Sequence, residues 1–105
     1  MELLPDAPAV LRHLGSAGAG VTRLEAERCV RRAALLVRTY TQGRGFDEPG
    51  KEVDSELALV IVSSAARALI NPAVSLRMSE ELLSAMPGSF ADWSEGEAGV
   101  LDRFS

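Results

Sequence analysis

Between Asp54 and Pro72 the chain reads DSELALVIVSSAARALINP, and no other stretch restricts the possible folds so tightly. Asp54 and Ser55 are good N-caps, and Glu56 puts negative charge in the first turn, where the helix dipole favours it. Pro72 disfavours helical geometry at Asn71 and cannot continue the hydrogen-bond ladder, so it marks the stop. Inside these limits only Glu56, Ser63, Ser64 and Arg67 are polar. At about 100° per residue Glu56, Ser63 and Arg67 share one narrow stripe, and every other direction is apolar. Such a helix is packed on nearly all sides, which predicts a central core helix with Leu59 and Leu69 among its buried residues. Its small residues, Ser63 to Ala66 and Ala68, let neighbouring helices come close. The apolar run falls short of the roughly 20 residues of a transmembrane span. A chain built around it is mainly α, a small helical bundle about a central buried helix.

The flanking segments supply that helix with partners. Thr22 and Glu25 read as a capping box, with Val21 and Ala26 in the staple positions, opening a helix expected to run to about Thr41 and end at Gly43. Its apolar face collects Ala26, Cys29, Val30, Ala33, Leu36, Val37 and Tyr40. The opposite face carries Glu25, Glu27, Arg28, Arg31, Arg32 and Arg38, with Glu27 and Arg31 in the favourable i, i+4 order. Leu24 and Leu35 interrupt its polarity, on one line with Arg28 and Arg31 at i, i+4, i+7, i+11. Leucine and arginine alternating along an exposed stripe predict a surface meant to be covered, by a partner or by the amino-terminal helix folding over it. That amino-terminal part, residues 1–20, offers a short helix from Ala7 to Leu14 with Asp6 as N-cap and Gly15 after its end. GSAGAG follows and reads as a flexible linker by composition. The connector GRGFDEPGKEV (43–53) is rich in turn residues, with Phe46 placed to anchor it to the core.

Beyond Pro72 the pattern changes. Val74, Leu76 and Met78 alternate with Ala73, Ser75 and Arg77, a period of two that predicts an extended or β-like arm over residues 73–93. SEELLSAM within it is ambiguous between helical turns and extended chain. Leu82, Leu83, Met86 and Phe90 make the segment too apolar to stay solvated, so it packs back on its own domain or crosses to another subunit. Ser94 and Glu97 form a second capping box, with Trp93 and Ala98 in staple positions. The helix they open, 95–104, presents Val100, Leu101 and Phe104 but contains Gly96 and Gly99. Being shorter than the roughly 12 residues an isolated helix needs, it must dock on something. The expected organisation is a single domain: short helix and linker to residue 20, helical core 21–72, arm 73–93, and a short carboxyl-terminal helix 94–105.

Charge is unevenly spread. Residues 1–44 hold seven Arg and four acids, whereas 79–105 hold six acids and one Arg, within a net charge of −4. That total argues against a generic nucleic-acid binder. Catalytic or metal-binding constellations are equally hard to assemble. His13, the only histidine, has no nucleophile or carboxylate cluster near it in sequence, so a surface or helix-end role is expected. Cys29 is alone, which excludes an intrachain disulfide or a cysteine cluster and fits a reducing compartment; on an apolar face it behaves as a small hydrophobe. The acid pairs Asp47–Glu48 and Glu80–Glu81 read as solvated charge. Glycines 15, 18 and 20 lack the spacing and the preceding strand of a phosphate loop. With no basic n-region ahead of a long apolar run, a signal peptide is not expected. No cofactor, no metal and no enzymatic activity are expected.

Three stretches carry a likeness further: LVRTYTQGRGF (36–46), AARALINPAV (65–74) and PGSFADWSEGEAGVL (87–101). In this order the chain resembles, over about residues 21–104, the head-to-tail adaptor (head–tail connector) proteins of long-tailed bacteriophages, especially those of actinobacterial hosts. The run R-x-L-x-N-P after an apolar helix is the most specific of the motifs, and the GSAGAG linker has no counterpart among them. The resemblance implies a structural virion protein whose helical protomers form a ring, twelvefold, beneath the capsid portal. That ring would extend the DNA channel and offer a platform to the tail. The implied partners are the chain itself, the portal protein, the stopper or tail-completion protein, and genomic DNA passing through without sequence-specific binding; no membrane is involved. The implied location is the virion neck, with the host cytoplasm during assembly. Leu24, Arg28, Arg31 and Leu35 would then face a neighbouring subunit, and Val74, Leu76, Met78 and Phe90 would belong to an arm crossing to a neighbour or the portal. Trp93, Leu101 and Phe104 would anchor the carboxyl-terminal helix. The alternative from another class is a small helical nucleic-acid-binding or regulatory protein using the Arg stripe of the second helix, against which the acidic last third argues.

Overall fold

A computed structural model describes residues 1–84 and 90–105. Five helices are present among them: α1 (Ala7–Leu14), α2 (Arg23–Thr41), α3 (Ser55–Ile70), α4 (Pro72–Leu82) and α5 (Glu95–Asp102). Each begins at a side chain that satisfies a backbone N–H left free in the first turn. Asp6 accepts from Ala9, Thr22 from Glu25, Asp54 from Glu56, Asn71 from Ala73 and Ser94 from Glu97, at 2.9–3.1 Å. Only the Ser94–Glu97 box is reciprocal, with Glu97 accepting from the Ser94 N–H at 2.9 Å. The Glu25 carboxylate turns instead to the Thr22 hydroxyl. Glu27 likewise pairs with Arg23 at 3.2 Å rather than with Arg31.

The bundle is organised around α2 and α3, packed face to face. Cys29 Sγ lies 3.3 Å from the Ala65 carbonyl, a spacing that the small residues of α3 permit. α1 and α4 each pack on both central helices, and α5 packs along α3 and also contacts α2. Ala33, Val37, Leu57, Ile61, Ala65, Met78 and Leu101 form the fully or nearly fully buried interior. One face of α3 departs from expectation. Leu59 is 70% exposed, Ile70 is also exposed and Leu69 is only half-buried, so the central helix is not enclosed on all sides.

The extended arm expected over 73–93 is corrected by α4. Asn71, at φ −132° and ψ 98°, ends α3 and caps α4 at once, while Pro72 occupies the first helical position. There its missing N–H costs nothing and its fixed φ suits the helix. Pro72 therefore turns the chain without ending helical structure. Val74 and Met78 are four residues apart, share one helical face and are buried, while Leu76 points outward. The alternation that looked like a strand is three apolar positions of a short amphipathic helix. Within the GSAGAG segment, Gly15–Gly18 form a 3-10 turn. Met86, Pro87 and Gly88 lie outside the described residues.

The connector before α3 is more ordered than its composition suggested. β1 (Glu2–Leu3) pairs antiparallel with β2 (Glu52–Val53), and Phe46 bridges to Val53 while packing on the core. Asp47, read from sequence as solvated charge, accepts the N–H groups of Lys51 and Glu52 at 2.8 and 2.9 Å. Gly45 sits at φ 83°, where a Cβ would come within 2.5 Å of Leu57 and 2.9 Å of Phe104. Only glycine meets both requirements, and it lets the connector press against α3 and the last residues.

Candidate interaction surfaces and the anchored carboxyl-terminal helix

The α2 stripe is a real surface. Leu24 and Leu35 are 55% and 50% exposed, with exposed Arg28 and Arg31 between them. The amino-terminal segment does not fold over it. Leu4–Pro8 instead border a groove beside Arg23, Glu27, Val30 and Arg31, on one flank of the stripe. Neither Arg28 nor Arg31 has an ion-pair partner among the described residues. Two large apolar side chains and two uncompensated cations therefore share one helical line, a composition common where one protein surface meets another.

The polar stripe of α3 has a different use. Glu56, Ser63 and Arg67 all face α5 and its approach. Glu97 is 5% exposed and accepts from Arg67 Nη2 at 2.7 Å and from the Ser63 hydroxyl. Arg67 Nη1 also donates to the Asp92 carbonyl at 2.9 Å, and Arg103 pairs with Glu56. Arg77 on α4 grips the Asp92 carboxylate through Nε and Nη2, the latter at 2.8 Å. Burial works to raise the Glu97 carboxyl, but the bonds from Arg67, Ser63 and the Ser94 N–H outweigh it and hold the group below its usual range. Asp92 is held down mainly by the hydrogen bonds from Arg77. Three ion pairs, made by Arg67 on α3, Arg77 on α4 and Arg103 just after α5, thus lock the last quarter of the chain onto the bundle. The charge-bearing pair at its centre escaped sequence reading, although the Glu56–Ser63–Arg67 line on an otherwise apolar helix was its visible half.

Aromatic contacts complete this joint. Trp93 meets Phe90 edge-on at 4.9 Å between centroids and Tyr40 at 6.1 Å. Its Nε1 is buried and has no partner among the described residues. Of the residues singled out from sequence, Leu24, Arg28, Arg31, Leu35 and Leu76 are exposed. Val74, Met78 and Phe90 are buried in their own domain, which removes them from any arm reaching outward in this conformation. Leu101 is buried and Trp93 and Phe104 pack against the core, where they anchor α5. The structure does not bring the two groups together into one site.

Chemistry of other kinds has few handles here. Among the described residues no group of three or more His, Cys, Asp or Glu side chains is placed to hold a metal, and no helix is long and apolar enough to cross a membrane. His13 is exposed in the last turn of α1. Burial pushes the Cys29 thiol up to about 11, against a smaller opposing pull from Arg32. At pH 8 only about one Cys29 side chain in a thousand is then the reactive thiolate. A disulfide reagent is expected to leave the folded protein unlabelled at pH 8 and to react promptly after unfolding in urea, read by the absorbance of the released thiolate. Prompt labelling of the folded chain would contradict the packing of α2 on α3.

Comparison with protein families, with curated proteins and with solved structures finds no match for this chain.

Proposed function

We propose that this chain is a structural virion protein, a head-to-tail adaptor whose protomers form a ring under the portal, lengthen the DNA channel and present a platform to the stopper or tail-completion protein. The observation that carries this reading is that the three stretches behind the resemblance converge on one joint. Tyr40, from the first, meets Trp93, from the third. Arg67, from the second, holds Glu97 and the Asp92 carbonyl, both from the third. The glycine of the first stretch at position 45 lies against Phe104. Residues scattered over the likeness thus build a single structural unit, which suits a protein whose task is to hold shape under load. The α2 stripe gives such a protomer a surface to offer a neighbour.

The role is mechanical, and no residue is assigned to catalysis. The experiment is direct. Purified protein mixed with portal rings from the same genome is expected to add a second ring beneath the portal, visible by negative-stain microscopy and as a stepwise mass gain in native mass spectrometry. Failure to bind the portal under conditions that keep both folded overturns the proposal. A fluorescence anisotropy titration with duplex DNA at about 150 mM salt checks the alternative. The adaptor reading expects no sequence-dependent binding, whereas tight binding with a steep fall in salt would favour the regulatory role.

A further inference from the structure

Helix α2 spends its own acids near its amino-terminal end. The Glu25 carboxylate turns to the Thr22 hydroxyl at 3.1 Å, and Glu27 pairs with Arg23. Arg28, Arg31 and Arg32 then follow, and none of the three has an ion-pair partner among the described residues. Arg28 and Arg32 stand at i, i+4, where like charges destabilise a helix. An anion from outside the protomer would relieve that repulsion.

A groove of about 280 Å³ runs beside this cluster, between α2, the end of α3 and the start of α4. Arg28 and Arg32 line it from α2, and Leu69, Pro72 and Ser75 line it from the other side. Buried Cys29 and Ala68 lie at the bottom. Arg32 is half-buried and near enough to Cys29 to pull its thiol down against the effect of burial, so its charge sits over the groove. Glu25 lines the groove as well, which leaves two cations to one acid.

The groove and the leucine stripe belong to one surface. At about 100° per residue Arg28 lies about 40° from Arg32 on one side and about 20–40° from Leu35 and Leu24 on the other. The exposed leucines therefore stand just beyond the arginine wall, separated from each other by about 16 Å along the helix axis. Leu69 and Pro72 supply an apolar wall opposite.

Such a surface selects the chemistry of what covers it. A nucleic-acid backbone brings phosphates to the arginines but nothing to cover four apolar side chains, and no aromatic ring lines the groove for a base to stack on. An acidic amphipathic polypeptide brings both, because a helix sets acids and apolar residues on adjacent lines. We propose that this face of α2 docks an acidic amphipathic segment of another protein. Its carboxylates meet Arg28 and Arg32, a large apolar side chain enters the groove against Leu69 and Pro72, and Leu24 and Leu35 cover its ends. The inference follows from the surface and stands apart from the adaptor reading.

The test compares the full chain with an Arg28→Glu, Arg32→Glu variant whose circular dichroism melt confirms an intact fold; Arg28→Glu alone serves if the pair disturbs it. A random library of peptides of about twelve residues, long enough to follow α2 from Leu24 to Leu35, is selected on the native chain. Enriched sequences are expected to hold an excess of Asp and Glu together with a large apolar residue, and to be missing from a parallel selection on the variant. In fluorescence anisotropy at about 50 mM salt the consensus peptide is expected to bind the variant about tenfold more weakly, and likewise Leu24→Ser with Leu35→Ser. Lysine in place of its acids restores binding to the variant and removes it from the native chain. Neutral or basic winners overturn the proposal, as does equal enrichment on both chains. A polyglutamate peptide that binds as well as the consensus also overturns it, since the apolar walls then contribute nothing. Tighter binding of duplex DNA assigns the face to nucleic acid. Self-association of the native chain that the variant loses, seen by sedimentation, assigns it to a second copy, and either result removes the proposal. The adaptor reading depends on portal binding, so a failed selection with portal binding intact removes this docking face alone.

Discussion

Arg67→Met is expected to loosen the carboxyl-terminal helix and cost about 3 kcal/mol, the lower end of what breaking a buried ion pair costs, because Arg67 keeps 31% of its side chain in solvent while Glu97 keeps 5%. The variant leaves Glu97 desolvated, with only the Ser63 hydroxyl and the Ser94 N–H to satisfy it. It also removes the donor to the Asp92 carbonyl, so the approach to α5 loses a tether. Against a total stability of roughly 5–15 kcal/mol for a domain, this is a large fraction. Trp93, the only tryptophan, lies beside the network and reports on it by fluorescence, while hydrogen exchange over 95–102 shows whether α5 opens before the bundle does. Arg67→Met with Glu97→Leu is expected to recover most of the loss, since no uncompensated charge then remains buried, apart from about 1 kcal/mol for the lost half of the capping box. If the double variant is as unstable as the sum of the two single ones, the pair is not coupled and the joint is held by its apolar contacts alone.

The same network sets an acid dependence, and its sign reverses in the variant. In the native chain the Glu97 carboxyl lies below its usual range, so its stabilising effect is complete above the unfolded-state value of about 4.3 and is lost as pH falls through the lower folded value. In Arg67→Met burial is no longer outweighed, and the carboxyl moves above its usual range. That change favours the protonated form in the folded state, so the variant gains stability as pH falls from neutrality towards 5. Urea midpoints at pH 7 and pH 5 decide it: the gap between variant and native protein narrows at the lower pH. A gap that stays constant would mean that Glu97 is solvated and the network ornamental.

Leu57→Asp and Leu59→Asp are expected to differ as widely as two substitutions two residues apart can. Leu57 is fully buried beneath Gly45 and Phe104, so a carboxylate there is an uncompensated buried charge costing several kcal/mol, enough to abolish a cooperative melt. Leu59 is 70% exposed, and its replacement should fall within about 0.5 kcal/mol of the native protein. Circular dichroism melts of the two variants measure this. A strongly destabilised Leu59→Asp would show that the outward face of α3 is core after all.

The amino-acid sequence determined where α1, α2, α3 and α5 begin and which faces of α2 lie inside and outside. Those features depend on neighbours three or four residues away: a hydroxyl or carboxylate over the first turn, or an apolar line repeated along one side. Local order cannot report what lies across the interior. The alternation at Val74, Leu76 and Met78 suits either a strand or a helix, and Asn71 and Pro72 can stop one helix or start the next. The helix is selected because burying Val74 and Met78 together against α2 and α3 removes more apolar surface from water than an extended segment with one face outside. Leu59 reads as core by composition, yet none of the described elements covers it. Arg67 and Glu97 are thirty residues apart, and each has an ordinary local role, one in a polar stripe and the other in a capping box. Only the packing of α5 across α3 makes them partners, because the attraction becomes strong only once Glu97 has left water and Arg67 is partly withdrawn from it.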